Sequence, residues 1–141
     1  MGIVRDGLVD TFNGSAKATI EENGRLSLPK KFFYAIDEKE RDELYLTIEK
    51  DPCILVYPRS RWEERMGRLS SQDMEEDAEV LRKVRLLQRK MRPVKVDKQG
   101  RFYLPADLKE KVGIDRNVEI LGTITRLEIW SPEKLDEYEN G

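Results

Sequence analysis

The sequence predicts an α+β fold, mainly β, in which two small modules of one kind follow each other and carry accessory helices. Three observations lead there. A motif occurs twice, as Gly24-Arg25-Leu26-Ser27-Leu28-Pro29 and as Gly100-Arg101-Phe102-Tyr103-Leu104-Pro105, each time with an acid four residues before its arginine. Around both copies apolar and polar residues alternate, the period of half-buried strands. A proline closes each motif, where it ends a strand and can open a helix.

The elements follow in order. Residues 16–21 and 25–28 are strands, and Glu22-Asn23-Gly24 between them has the length and the glycine of a hairpin loop. Pro29 then stops the strand and can open a helix, and Phe32 beyond it pairs with Leu108 in the repeat. The apolar runs 44–48 and 54–57 form a second hairpin, and Ser60-x-x-Glu63 reads as a capping box at the start of the next helix. From about Glu76 to Met91 the spacing of Val80, Val84, Leu87 and Met91, with Leu81 beside them, makes one apolar stripe on a longer helix that bridges the two copies. In the second copy 94–97 and 101–104 flank the loop Lys98-Gln99-Gly100, a helix after Pro105 runs through Leu108 and Val112, and Gly113 ends it. Strands at 118–121 and 127–130 follow, and Ser131-Pro132 is a cap with a first-turn proline.

Cys53-Ile54-Leu55-Val56-Tyr57-Pro58 matches Arg126-Leu127-Glu128-Ile129-Trp130-Ser131, so the repeat spans most of each half. Its period is too long for a solenoid. The chain divides into a first module at 12–58, a helical connector at 59–92, and a second module with a C-terminal helix at 93–138. Short chains bury a low fraction of their surface, so each half is marginal alone and packs on the other. Two similar modules can also join head to tail between subunits, and such contacts close into a ring, a homo-oligomer larger than a dimer.

Composition narrows the function. Of the 141 residues 38% are charged, and no apolar stretch approaches the roughly 20 residues of a membrane span, so no membrane partner is expected. The N-terminus lacks a basic region followed by an apolar core, and no signal peptide is expected either. The single cysteine, Cys53, fits a reducing, cytoplasmic compartment; within its apolar run it reads as a buried strand residue and not as a nucleophile. There is no histidine, the commonest general base and a common metal ligand, and no glycine-rich phosphate loop. The expectation is no catalytic residue, no metal, no cofactor and no small-molecule substrate.

Net charge is -2, yet it is unevenly placed. Arg82, Lys83, Arg85, Arg89, Lys90 and Arg92 crowd one segment, Asp73, Glu75, Glu76, Asp77 and Glu79 precede it, and Glu133, Asp136, Glu137 and Glu139 close the chain. The basic cluster is either a solvated helix face or a surface for an anionic partner, since local field and not total charge governs encounter.

The ordered set Phe12-x-Gly14, Ile20-Glu21-x-x-Gly24-Arg25-Leu26-Ser27-Leu28-Pro29, Leu55-x-Tyr57-Pro58-x-x-x-Trp62, Asp97-x-x-Gly100-Arg101, Leu121-Gly122 and Glu128-Ile129-Trp130-Ser131 resembles the MraZ family of bacterial transcriptional regulators. The resemblance runs from Phe12 to Tyr138. It implies two tandem AbrB-like swapped-hairpin modules, each a double-psi-like small barrel, assembled into a ring that binds repeated boxes upstream of the cell division and cell wall gene cluster. The partner implied is double-stranded DNA, and the place of action is the nucleoid. The family's Asp-x-x-x-Arg element is associated with DNA binding and falls on Arg25 and Arg101, with Glu21 standing where the first aspartate would be.

The chemistry of the hairpins can be read beside the resemblance. Alternation buries Leu26 and Phe102, so Arg25 and Arg101 point the other way, alongside Lys17 and Lys95 on the neighbouring strands. A two-stranded ribbon enters the major groove, where arginine reads guanine O6 and N7 by two hydrogen bonds and lysines hold phosphates. Asp97, across the turn from Arg101, can cap turn amides and orient the guanidinium, and Glu21 stands in the same place before Arg25. Lys98 in the second loop joins the candidate DNA contacts. Lys30 and Lys31 either add phosphate contacts or form a solvated helix start. The alternative for each acid and arginine is a simple ion pair across a turn, worth only about 0 to 1 kcal/mol when exposed. Tyr57, Trp62, Phe102, Tyr103 and Trp130 lie in or beside apolar segments and are read as core or interface packing, not as a base-stacking platform. An oligomeric protein-interaction module of antitoxin type, with DNA binding secondary, is the other reading.

Overall fold

The computed structural model describes residues 11–70 and 77–140. The leader at 1–10 and the acids Asp73, Glu75 and Glu76 lie outside the described residues. The elements are β1 (Ser15–Thr19), β2 (Arg25–Ser27), α1 (Lys30–Phe33), a 3-10 turn (Glu38–Glu40), β3 (Glu43–Thr47), β4 (Ile54–Tyr57), α2 (Arg59–Ser70), α3 (Ala78–Lys90), β5 (Arg92–Lys95), β6 (Arg101–Tyr103), α4 (Ala106–Lys111), β7 (Asn117–Gly122), β8 (Leu127–Trp130) and α5 (Pro132–Asn140). The fold is mixed α+β, and its strands pair antiparallel: six form one sheet in the order β1-β7-β8-β4-β3-β5, and β2 and β6 form a separate ladder.

Exchanging each strand for its counterpart in the other copy turns that sheet order into its own reverse. The two copies are therefore related by an approximate two-fold axis, which passes between Leu55 and Glu128 in the sheet and between Leu26 and Phe102 in the ladder.

Strand partners differ from the local hairpins that alternation suggests. Both turns form, but the strands that leave them pair elsewhere: β1 with β7 of the other copy, β5 with β3 of the other copy, and β2 with β6. The reason is burial. β2 and β6 have three residues each, and facing each other brings Leu26 and Phe102 to 0% and 1% exposure in a shared core. The small barrel is not formed either. Among the described residues the six-stranded sheet stays open, with β1 and β5 at its edges, and the β2·β6 ladder is a sheet of its own. Pro93 sits on the edge strand β5, where a missing N–H leaves no central ladder bond unmade.

The sheet separates two apolar clusters. Ile54 and Val56 of β4 enter the larger one with Phe12, Ile20, Leu26, Phe32, Leu44, Phe102, Val118 and Ile129. Leu55 and Tyr57 face the opposite way, onto Cys53, Trp62 of α2, Leu87 of α3, Trp130 and Leu135 of α5. This two-sided burial accounts for the unbroken apolar run of β4. Burial also pushes the Cys53 thiol up to about 12, so it stays protonated and inert. On α3 the stripe faces inward, with Leu87 buried and Val80 and Val84 half-buried, and burying one such leucine stabilises by about 1.5–3 kcal/mol. Tyr57, Trp62, Phe102 and Trp130 are buried, but Tyr103 is 59% exposed, because it shares the strand phase of Arg101 and not of Phe102.

Helix starts are partly as the sequence suggests. Ser131 accepts the Lys134 amide at 3.3 Å and heads α5. Ser60 does not head α2, which begins at Arg59; its amide donates instead to Glu40 Oε1 at 2.7 Å, an acceptor supplied from the 3-10 turn. Asp77 caps α3 by accepting from the Glu79 and Val80 amides. Among the described residues no helix is long and apolar enough to cross a membrane.

The segment before β1 is stitched across the end of β7: Phe12 and Ile124 exchange backbone hydrogen bonds at 2.9 Å, and the Gly122 amide donates to the Gly14 carbonyl at 2.8 Å. The approach is so close that a Cβ on Gly122 would lie 2.5 Å from the Phe12 carbonyl carbon. Gly122→Ala is expected to destabilise by about 1–3 kcal/mol through this overlap, whereas Gly67→Ala, in an open position of α2, stabilises by up to about 1 kcal/mol. Urea unfolding midpoints check both, and equal midpoints for the two variants would contradict the account.

Candidate nucleic-acid interface

The β2·β6 ladder has one buried face, made by Leu26 opposite Phe102, so Arg25, Ser27, Arg101 and Tyr103 emerge on the other. The register sets Arg25 opposite Tyr103 and Ser27 opposite Arg101. The two arginines thus lie diagonally on one face of one ribbon, instead of on two separate hairpins.

Each arginine is held from the turn that precedes it. In the second turn the Asp97 amide donates to the Arg101 carbonyl at 2.9 Å, and Gly100, at φ +85, takes the left-handed conformation that closes the loop. Asp97 Oδ1 accepts from the backbone amides of Gln99 and Arg101, each at 2.9 Å, and Oδ2 accepts from Arg101 Nε at 2.7 Å. The carboxyl is consequently held below the usual aspartate range, first by the Arg101 amide and then by the Arg101 side chain.

The first turn has the same backbone and different side-chain chemistry. Gly24 sits at φ +91, and the Glu21 amide donates to the Arg25 carbonyl at 2.9 Å. Glu21 Oε1 meets Arg25 Nη2 at 3.2 Å, which raises the guanidinium pKa further. The Arg25 amide, however, donates to Asn23 Oδ1 at 3.1 Å. The turn cap has moved from the acid to an asparagine, a residue suited to bonding backbone two positions on. Among the described residues, Arg25 Nε is buried and has no hydrogen-bond partner.

The lysines are not gathered on the ladder. Lys17 lies on β1 opposite Glu119, and Lys95 on β5 opposite Glu43, at the two far edges of the large sheet. Lys30 is exposed at the start of α1. Lys31 Nζ donates to the Ser15 carbonyl at 2.8 Å and lies 5.1 Å over the Phe32 ring, which ties α1 to β1. Lys98 is exposed in the second turn, next to Asp97. In the basic cluster Arg92 makes a two-point pair with Asp107, at 2.6 and 3.2 Å, and Arg82 pairs with Glu79 at 3.0 Å, while Lys83, Arg85, Arg89 and Lys90 are exposed on α3. Sequence reasoning missed Asn23 and Tyr103. The Asn-Gly pair is a turn signal for the first, and strict alternation from Arg101 marks the second as outward-facing. Among the described residues no group of three or more acids and cysteines could hold a metal ion.

A family model described as "MraZ protein, putative antitoxin-like" matches residues 11–84 and 90–141. A protein named transcriptional regulator MraZ from Syntrophomonas wolfei is 37% identical over 127 residues, covering 90% of this chain and 85% of that protein. Its namesake from Bordetella pertussis is 33% identical over 128 residues, covering 91% and 87%. Another, from Acetivibrio thermocellus, is 32% identical over 127 residues, covering 90% and 85%.

The contrast between the turns has a pH signature. The folded state lowers the Asp97 pKa, so the stability this carboxylate contributes is present above about 3.9, the value for a free aspartate, and is lost as pH falls through the lower folded value. In an acid titration followed by NMR, the Gln99 and Arg101 amides should move together with one midpoint below about 3.9. The Arg25 amide, capped by Asn23, should show no such transition, and a shared midpoint for all three would refute the assignment of caps.

Proposed function

The chain belongs to the MraZ family, and from that premise we propose that it is a transcriptional regulator that binds double-stranded DNA with the β2·β6 ribbon. The observation that carries this reading is the placement of Arg25 and Arg101 on one exposed face of a two-stranded ladder, each beside an acid from its own turn. The major groove is about 12 Å wide and admits such a ribbon, and arginine there donates two hydrogen bonds to guanine. Lys98 and Lys30 are free to approach phosphates near the ribbon, Lys17 and Lys95 would do so from the sheet edges, and Lys31 adds charge while tied to Ser15.

The interleaving of β1, β5 and the central ladder supports a swapped-hairpin arrangement of the AbrB type, formed here inside one chain. We extend the proposal to a ring of more than two subunits that binds repeated boxes of the cell division and cell wall gene cluster in the nucleoid. No catalytic role is proposed. A second reading follows from the words "antitoxin-like" in the family description: an oligomeric module whose main partner is a protein.

Gel shifts with the DNA upstream of its own gene separate the two. Arg25→Ala and Arg101→Ala should each weaken binding, by about 1–3 kcal/mol where a base-reading pair is lost, with thermal unfolding almost unchanged. Log affinity should fall linearly with log salt, and each lysine removed from the contact should lower the slope by about one. Wild-type affinity in both arginine variants would end the ribbon reading, and a flat salt response would favour the protein partner.

Assembly is checked by light scattering at micromolar concentration. A closed oligomer larger than a dimer is expected, and a monodisperse monomer would refute the ring.

A further inference from the structure

The two halves of the ribbon share a backbone and differ in how firmly they hold their arginine. We infer that they read DNA unequally: Arg101 selects a guanine, and Arg25 makes a contact that discriminates little between bases. The inference rests on the DNA-binding reading above and adds to it which half of the pseudo-symmetric ribbon carries the specificity.

The argument starts from the donors. A guanidinium facing guanine end-on uses Nη1 and Nη2, and one facing it side-on uses Nε and Nη2. Asp97 engages Arg101 through Nε alone, which leaves both terminal nitrogens available for the end-on mode. Glu21 occupies one of the two N–H groups of Arg25 Nη2, the nitrogen both modes use, and Nε is buried, which removes the side-on mode.

Rigidity points the same way. Asp97 is itself pinned by two backbone amides, so the guanidinium it holds is fixed to the turn. The acid of the first turn has no such anchor, because Asn23 accepts the Arg25 amide in its place. The second turn is also buttressed: a Cβ on Gly100 would meet the Phe33 ring at 3.2 Å, whereas nothing lies within 4 Å of the same point on Gly24. A guanidinium already held in one rotamer loses less freedom on binding and rejects a mismatched base more sharply.

Asp97 is then a positioning residue, and its counterpart in the first copy can be restored. Selection from a library of random DNA duplexes, read by sequencing, is the experiment, with thermal unfolding to confirm that each variant is folded. The wild type should enrich a motif with one dominant guanine per ribbon. Arg101→Lys keeps the charge and loses the two-point contact, so preference for that guanine should fall by about tenfold or more. Arg25→Lys should lower overall affinity and leave that guanine in the motif. Converting the first turn to the chemistry of the second, with Glu21→Asp alone and with Glu21→Asp plus Asn23→Gln, should bring up a second preferred guanine. If the wild-type motif already holds two equal guanines, each lost with its own lysine variant, the inequality is refuted while DNA reading stands. Enrichment of no motif, with no salt-dependent retention of DNA, sinks both.

Discussion

Contact between Leu26 and Phe102 is the constraint on which the rest of the structure depends. Both side chains are almost fully excluded from water, and each comes from a three-residue strand that pairs with its counterpart in the other copy and not with its own neighbours. Burying two side chains of this size stabilises by roughly 1.5–3 kcal/mol each, a large share of the net stability of a small domain. Because the pair sits on the pseudo-two-fold axis, forming it commits both copies at once. The strands before the two turns are then carried to opposite edges, where β1 finds β7 and β5 finds β3. The same geometry delivers two arginines to one surface, so the hydrophobic arrangement and the candidate site have a single cause.

The second axis crossing, between β4 and β8, explains why the interleaved halves do not slide apart. Ile54 pairs with Ile129 and Val56 with Leu127, and all four feed the core beneath the ladder. On the opposite face Leu55, Tyr57 and Trp130 are roofed by α2, α3 and α5. Within that roof Arg65 pairs with Glu49 at 2.6 Å and also donates to the Tyr57 hydroxyl at 2.9 Å, which anchors α2 to the sheet through half-buried polar groups. Slipping β4 by one residue would exchange its two apolar faces and strand these bonds.

Much of this was legible in the residues, and the part that was not has a physical reason. Alternation about Arg25 and Arg101 identifies which side chains are buried, and glycine at 24 and 100 identifies the turns, because both are properties of a strand and its own neighbours. Partner choice is not local. The residues 16–28 satisfy a hairpin as well as they satisfy exchange with a distant strand, and only the shared burial of Leu26 and Phe102 decides. The same limit applies to Ser60, whose amide is served by Glu40, twenty positions earlier in the chain, and to Lys31, whose ammonium serves the Ser15 carbonyl. In the site itself, Asp97 and its arginine could be foreseen from their spacing, whereas the transfer of the cap to Asn23 follows from a single methylene: the longer glutamate side chain reaches the guanidinium and leaves the turn amide to its neighbour.

Under the proposed DNA-binding reading, the acids beside the arginines bear on how a chain of net charge -2 would approach a polyanion. An acid beside each arginine removes most of the long-range attraction the ribbon would otherwise exert, since the pairs are close to neutral at more than a Debye length, about 8 Å at physiological salt. In the proposed complex, encounter would then depend on cations off the ribbon, and the arginines would act only at contact, where the orientation of their donors matters more than their charge. The acids thus weaken non-specific attraction and sharpen what remains. A free arginine on an exposed strand would bind phosphate anywhere; one anchored by Asp97 through Nε presents a fixed pair of donors that a guanine edge satisfies and a phosphate satisfies only in one orientation. The placement of a carboxylate next to an arginine proposed to contact DNA is, on this view, a device for selectivity, and it works only as well as the carboxylate is itself held, which the turn of the second copy does through two amides and the turn of the first does not.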